Sequence, residues 1–257
     1  MITRAYAKVN IFLKIVGKRD NYHEILSRFV KVQNLYDELE FVKKNTKEEL
    51  ELLGEFGCEL KQNTIYKAYE ALRKAGYEKE LKEFFTYNAL KVKKNIPSFA
   101  GLGGGSSDAA TFLHMVNDEI GLNLEKSELA KIGIEVGADV PFFVYGYDSA
   151  NVSGIGEVVK EFKEEPLHVN TFTPNIKCDT GAVYRAFREN YSVDVDVDLA
   201  IKMSKMSSKE LLGAYDDVTL NDLFGASLHV YSELEQYRKK DWFFSGSGSS
   251  FFTVENS

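Results

Sequence analysis

The chain has 257 residues, 44% of them hydrophobic and 28% charged, with a net charge of −7. Such a composition supplies a packed core without recourse to disorder, and its acidity argues against a nucleic-acid binder, which carries a basic stripe for phosphates. No apolar run reaches the ~18 residues of a bilayer span, residues 1–14 lack the layout of a signal peptide, and two distant cysteines, Cys58 and Cys178, exclude a disulfide framework or a cysteine zinc site. A soluble cytoplasmic protein is expected, and at ~150 residues per domain the length allows one large domain or two smaller ones.

In chain order, residues 4–16 alternate partially and are rich in β-branched and aromatic residues, which predicts a strand. A polar turn over 17–21 leads to a second apolar stretch, Ile25 to Val32, able to pair with the first, and Leu39 to Val42 and Leu50 to Leu53 read as further short strands. Ile65, Ala68, Tyr69 and Leu72 have helical spacing, with Gly76 as the stop. An alternating strand, Ala89 to Lys94, precedes Pro97. Beyond it a glycine-rich turn opens a helix whose stripe is Ala109, Ala110, Phe112, Leu113, Val116 and Ile120, ended by Gly121. A helix over 125–136 and a strand over Pro141 to Tyr145 follow.

The second half predicts strands near Val152 to Phe162, Val169 to Thr173 and Phe251 to Val254, and helices near Thr180 to Phe187, Leu199 to Met203 and Ala226 to Lys239. The Val-Asp run from Val193 to Asp198 reads as a solvated edge or loop. Strands and helices mix without βαβ alternation, so the fold class is α+β, with a domain boundary placed near 146–156.

The strongest chemical signal is Pro97-Ser98-Phe99-Ala100-Gly101-Leu102-Gly103-Gly104-Gly105-Ser106-Ser107-Asp108. At a strand-to-helix junction, glycines let the backbone approach a ligand, and converging N–H groups with the helix's positive end suit an anion. Ser106 and Ser107 add hydroxyls and a cap. A Walker A loop would need Gly-Lys-Ser/Thr, whereas Gly105 is followed by Ser106. A dinucleotide fingerprint fails at the same serine and lacks an acidic residue ending a second strand.

These residues resemble the central motif of the GHMP kinase superfamily, Pro-x-x-x-Gly-Leu-Gly followed by small residues and serines, in the longer form of one branch. Ala5-Tyr6-Ala7-Lys8-Val9-Asn10, Tyr22-His23, Gly137-Ala138-Asp139-Val140-Pro141-Phe142-Phe143, Asn221-Asp222-Leu223 and Ser245-Gly246-Ser247-Gly248-Ser249 extend the resemblance over nearly the whole chain. It implies a two-domain GHMP kinase fold. Residues 1–150 would form an ATP-binding domain of ribosomal-S5-domain-2 type, and residues 151–257 a ferredoxin-like α/β sandwich.

The resemblance further implies ATP with Mg2+ as phosphoryl donor and, as acceptor, the tertiary hydroxyl of a cytidine diphosphate conjugate on the route to isoprenoid precursors. Asp139 would take the proton of the attacking hydroxyl while Lys8 orients that oxygen and offsets developing charge. Asn10, two residues along the strand and so on the same face, would bond the substrate's hydroxyls. Tyr22 and His23 would read cytosine, with Tyr184, four residues after Thr180, on the opposite ring face and Phe29 lining the site.

The nucleotide would contact Pro97, Gly101, Leu102, Gly103, Gly104, Gly105, Ser106 and Ser107, with Asn63 and Ile65 near adenine and Lys94 near the base or its phosphates. No protein metal ligand is assigned, and His114, His168 and His229 lack metal-ligand spacing. Phe99 departs from the family, standing where a small residue is usual. Neither nucleic acid nor membrane is expected as a partner, and the sequence leaves homodimerisation open. The rival readings are a GHMP kinase for mevalonate or homoserine, which has no use for a cytosine clamp, and a non-catalytic nucleotide-binding module.

Overall fold

The structure, a computed structural model, describes residues 1–44, 46, 49–191 and 195–255. By internal contacts the chain divides into two units, one built from Met1–Ala7, Leu35–Ile96 and Gly104–Gly146, the other from Lys8–Asn34, Pro97–Gly103 and Tyr147–Ser257. Strands β1 (Thr3–Arg19) and β2 (Tyr22–Lys43) pair with one another and contribute residues to both. Recurrent β-branched and aromatic residues favour extended backbone along both strands, and Asp20, at φ 53°, supplies the left-handed residue of the tight turn between them.

In the first unit, Glu38–Lys43 of β2 run antiparallel to β4 (Asn88–Lys93), which pairs in parallel with β3 (Leu52–Leu53). Against them pack α1 (Thr64–Leu72), α2 (Glu78–Phe85), α3 (Gly104–Ile120), α4 (Lys126–Ile134) and α5 (Val140–Tyr145). Ile65, Ala68, Tyr69 and Leu72 give α1 one apolar face, which joins Leu39, Leu90, Phe85, Phe112 and Val116 in the core.

In the second unit, Ile25–Val30 of β2 pair antiparallel with β5 (Ser149–Gly154), and β5 with β6 (Val158–Glu161). A separate sheet orders β7 (Val169–Phe172), β9 (Phe251–Val254) and β8 (Phe243–Phe244). Its helices are α6 (Thr180–Asn190), α7 (Val197–Lys205), α8 (Ser208–Ala214), α9 (Asp217–Leu220) and α10 (Asp222–Val230). Leu13, Ile15, Ile25, Val183, Phe187 and Leu223 form one apolar cluster here, and Cys178, Phe224, Phe244 and Phe251 another. Buried Arg28 lies 3.3 Å over the Phe162 ring and donates to Asn151 and to the carbonyls of Ser204 and Met206, tying the α7–α8 turn to the sheet. Burial draws its pKa down to about 10 against the pull of Glu164.

Several sequence expectations change. Pro141 to Tyr145 is helical rather than extended: Pro141 stands in the first turn, where its missing N–H costs nothing, and Gly146 at φ 73° caps the end by donating to Phe142 O. Leu39 to Val42 is no separate strand but the far end of β2. Gly76 does interrupt the helix as expected: at φ 106° it leaves the helical path, and α2 begins just beyond it at Glu78. The helix expected to reach Lys239 stops at Val230 and gives way to a 3₁₀ segment, Ser232–Tyr237. Residues 193–194 of the Val-Asp run lie outside the described residues, and 197–198 open α7, capped by Asp196, whose carboxylate accepts from Leu199 N.

Candidate active site

Alternation along β1 directs Lys8 and Asn10 to one face, and both are buried, at 3% and 1% exposure. The Lys8 ammonium donates to Asn10 Oδ1 at 2.7 Å and to Gly101 O at 3.1 Å, and sits 4.7 Å from the centre of the Phe29 ring. Asn10 is itself fixed, its Nδ2 donating to Ser27 Oγ, which donates in turn to Phe12 O. A cation held so deep beside a glycine-rich loop acts at high local field, because little water screens it.

The loop's first part, Pro97–Gly103, belongs to the same unit. Phe99, Gly101 and Gly103 have φ of 57°, 73° and 71°, a left-handed run that glycine adopts at no steric cost and phenylalanine does not. The carbonyls of Phe99, Ala100 and Leu102 accept from Cys178 N, Ser250 N and Lys8 N, and Gly101 O accepts from both Lys8 and Ser245 Oγ. Gly101 is obligatory for a second reason, since a Cβ there would lie 2.3 Å from Ser245 O.

In the other unit the chain enters α3 at Gly104, and Gly105 is exposed while Ser107 is buried. Close packing explains these glycines: a Cβ on Gly104 would stand 2.9 Å from Ile96, and one on Gly105 would stand 3.1 Å from Thr64 Oγ1, which donates to Gly105 O. Asn63 caps α1, accepting from Ile65 N at 2.8 Å, and the Ile65 side chain is fully buried, so both have firm structural roles. Asp139 precedes α5 without capping it. Its turn abuts the start of α3, because a Cβ on Gly137 would be in van der Waals contact, 3.6 Å from Ser106 Oγ.

Lys94 is bound between two carboxylates, Asp37 and Asp108, the latter at 2.5 Å. Asp37 also accepts from the backbone N–H groups of Asn95 and Ile96, pinning the chain as it leaves β4. Burial pushes the Asp108 carboxyl up to about 7, with the Lys94 charge pulling the other way. Lys94 is raised, its two carboxylate partners overcoming the opposing effect of burial.

The aromatic residues are arranged differently from a simple sandwich. The His23 and Tyr184 rings stack on each other, 5.3 Å between centres, and Phe187 meets His23 edge-on. A base held between two rings needs roughly twice the ~3.5 Å contact distance, so His23 and Tyr184 form one wall, and Tyr22, 64% exposed, is the ring presented to solvent. Burial, with Arg188 and Lys18 nearby, lowers the His23 pKa and keeps the imidazole neutral at pH 7, offering one donor and one acceptor. Thr180 opens α6 and shares a 2.8 Å hydrogen bond with Ser247.

Within the second unit the structure thus gathers Lys8, Asn10, Phe29, Gly101, Leu102 and Gly103, and separately His23 with Tyr184. Within the first it gathers Lys94, the start of α3 and the Asp139 turn. Sequence reasoning missed Ser27, Asp37 and Asp108 as supports. Only Asp108 left a signal, a carboxylate set directly before the apolar stripe that starts at Ala109 and Ala110.

Comparison with known proteins bears on the same elements. Residues 63–147 match the GHMP kinases N terminal domain. The 4-diphosphocytidyl-2-C-methyl-D-erythritol kinase of Sulfurimonas denitrificans is 56% identical over 255 residues, spanning 98% of this chain and 96% of that protein. A crystal structure of 4-(cytidine 5'-diphospho)-2C-methyl-D-erythritol kinase superposes with a TM-score of 0.76 at 30% identity, over 100% of this chain and 91% of the other. Mevalonate kinase shares the fold at a TM-score of 0.60 and 13% identity, covering 100% and 91% of the two chains. With its α+β architecture and 56% identity over 98% of its length to one such enzyme, the chain is a kinase and belongs to the 4-diphosphocytidyl-2-C-methyl-D-erythritol kinase family of GHMP kinases.

Proposed function

We propose that the chain moves the γ-phosphoryl group of ATP to the 2-hydroxyl of 4-diphosphocytidyl-2-C-methyl-D-erythritol, with Lys8 and Asp139 as the catalytic residues. The observation that carries this is the Lys8 ammonium, buried and bonded to Gly101 O, which joins a fixed cation to the backbone of the glycine-rich loop. N–H groups of Gly101 to Ser107 and the positive end of α3 hold the polyphosphate. Asp139 takes the proton of the acceptor hydroxyl as its oxygen bonds to phosphorus, the β–γ bridging oxygen leaves with ADP, and Lys8 offsets the charge on the transferring group. Transfer of this kind runs through a loose transition state, so position and field outweigh proton abstraction.

Magnesium chemistry belongs to the nucleotide in this proposal. Mg2+ enters with ATP as the counter-ion of its phosphates, and no step is assigned to a protein-held ion. Tyr22, His23 and Tyr184 recognise cytosine by stacking and edge hydrogen bonds, Thr180 and Asn10 assist at the acceptor, and Lys94 lies toward the nucleotide.

The test is ATP consumption with 4-diphosphocytidyl-2-C-methyl-D-erythritol, mevalonate and homoserine side by side, repeated for Lys8→Met and Asp139→Asn. Turnover on the cytidine substrate alone, falling by about 10²- to 10⁴-fold in Asp139→Asn, is expected for a positioned general base. Preference for mevalonate or homoserine, or full activity in both variants, refutes the assignment.

A further inference from the structure

One motif found in the sequence has no part in the chemistry above: Asn221-Asp222-Leu223. Asn221 is 2% exposed, and both its amide protons and its amide oxygen are hydrogen-bonded. Its Oδ1 accepts from Leu223 N, capping α10, while its Nδ2 donates to Phe244 O at 3.1 Å and to Gly246 O at 2.9 Å. Those carbonyls bracket Ser245, the first residue of the second glycine-rich turn. Asp222 ties the motif to β1 by pairing with Lys14 and accepting from Ile15 N at 2.8 Å, and Leu13 bridges Asn221 through the backbone.

The turn that Asn221 holds lies against the surroundings of Lys8. Ser245 Oγ donates to Gly101 O, the same carbonyl that receives the Lys8 ammonium, and accepts from Asn10 N at 3.3 Å. A Cβ on Gly246 would stand 3.2 Å from Asn10 Oδ1, the second Lys8 acceptor, and 3.3 Å from Gly101 O. Both of these Lys8 acceptors are therefore in contact with the turn whose first carbonyls Asn221 grips. We infer that Asn221 is a positioning residue for phosphoryl transfer, setting the place of the Lys8 ammonium through the Ser245–Gly246 turn. The inference rests on Lys8 being the catalytic cation proposed above.

Asn221→Asp and Asn221→Ser separate this role from helix capping, because both residues cap as well as asparagine while neither can donate to two carbonyls. In the full-length enzyme, either variant is expected to stay folded at the assay temperature, its unfolding midpoint lowered because two buried carbonyls lose their donor, and to lose between about 10- and 100-fold in kcat, as for a small misplacement of a catalytic group. KM for both substrates is expected to change by less than about threefold. Where Asn221→Asp does not fold, Asn221→Ser decides on the same criterion.

Single-turnover rates with labelled ATP for Lys8→Met, alone and combined with Asn221→Ser, complete the cycle. If Asn221 acts through Lys8, the double variant is no slower than Lys8→Met. A folded Asn221→Ser with kcat within twofold of the parent, or losses that multiply in the double variant, overturn the positioning role while leaving Lys8 catalytic. A Lys8→Met enzyme at the parental rate overturns the role of Lys8 itself, and the inference with it.

Discussion

Replacing Asp108, in the first turns of α3, by asparagine isolates the buried charge cluster it forms with Lys94 and Asp37. Asp108 is 2% exposed, its Oδ2 accepts from Lys94, and its Oδ1 has no hydrogen-bond partner. Burial lifts its carboxyl from 3.8 to about 7. Each pH unit of that interval is worth 1.36 kcal/mol, so the full effect is roughly 4 kcal/mol. The sign follows from proton counts: between about pH 4 and pH 7 the folded chain binds a proton at Asp108 that the unfolded chain has lost, so this group's stabilisation is complete below 3.8 and declines as pH rises through 7. Asparagine cannot ionise and lacks that decline, and Lys94, raised further by its partners, stays charged throughout. Urea unfolding of both proteins from about pH 5 to about pH 8 should therefore show the Asp108→Asn variant gaining about 3 kcal/mol on the parent. A stability difference constant within about 1 kcal/mol over that range would refute the reasoning, and with it the idea that Asp108 is buried against its ionised form.

Three other substitutions probe the second unit. Gly101→Ala forces a Cβ to 2.3 Å from Ser245 O at φ 73°; the left-handed cost and the overlap together destabilise by about 3 kcal/mol, read by chemical denaturation, and a loss below about 1 kcal/mol would contradict the packing described. Phe99→Gly relieves a left-handed residue that is largely exposed, so a gain of about 1 kcal/mol and of about 2–4 °C in Tm is expected by calorimetry, and a lower Tm would count against it. Tyr184→Ala removes the ring stacked on His23 and should raise KM for the cytidine substrate about tenfold, the worth of an aromatic pair, with KM for ATP unchanged; equal effects on both would argue against a role confined to cytosine.

The elements legible in the sequence are those whose signals are local. The strand Ala89 to Lys94, the glycine run, the apolar stripe of α3 and its stop at Gly121 sit within a few turns of one another, and the structure has them as read. Pro141 to Tyr145 reads as a strand because five apolar residues in a row carry no period: proline at a first turn and glycine at the cap decide for helix. Leu39 to Val42 is separated from Ile25 to Val32 by Gln33-Asn34-Leu35-Tyr36-Asp37-Glu38, whose polar residues look like a break. Asp37 is instead a fully buried partner of Lys94, from across 57 positions of chain.

What the sequence determined alone is the family, the α+β class and the glycine-rich junction between strand and helix, because backbone freedom at glycine and the motifs of a family are properties of single residues and short spacings. Tertiary structure decided what surrounds them. Gly101 O meets the Lys8 ammonium across 93 residues and Ser245 Oγ across 144, Asn221 reaches the turn at Phe244 to Gly246, and His23 lies on Tyr184 rather than apart from it. Such contacts are selected by burial: a polar group taken out of water must find a partner wherever the fold brings one, and no local pattern names that partner in advance.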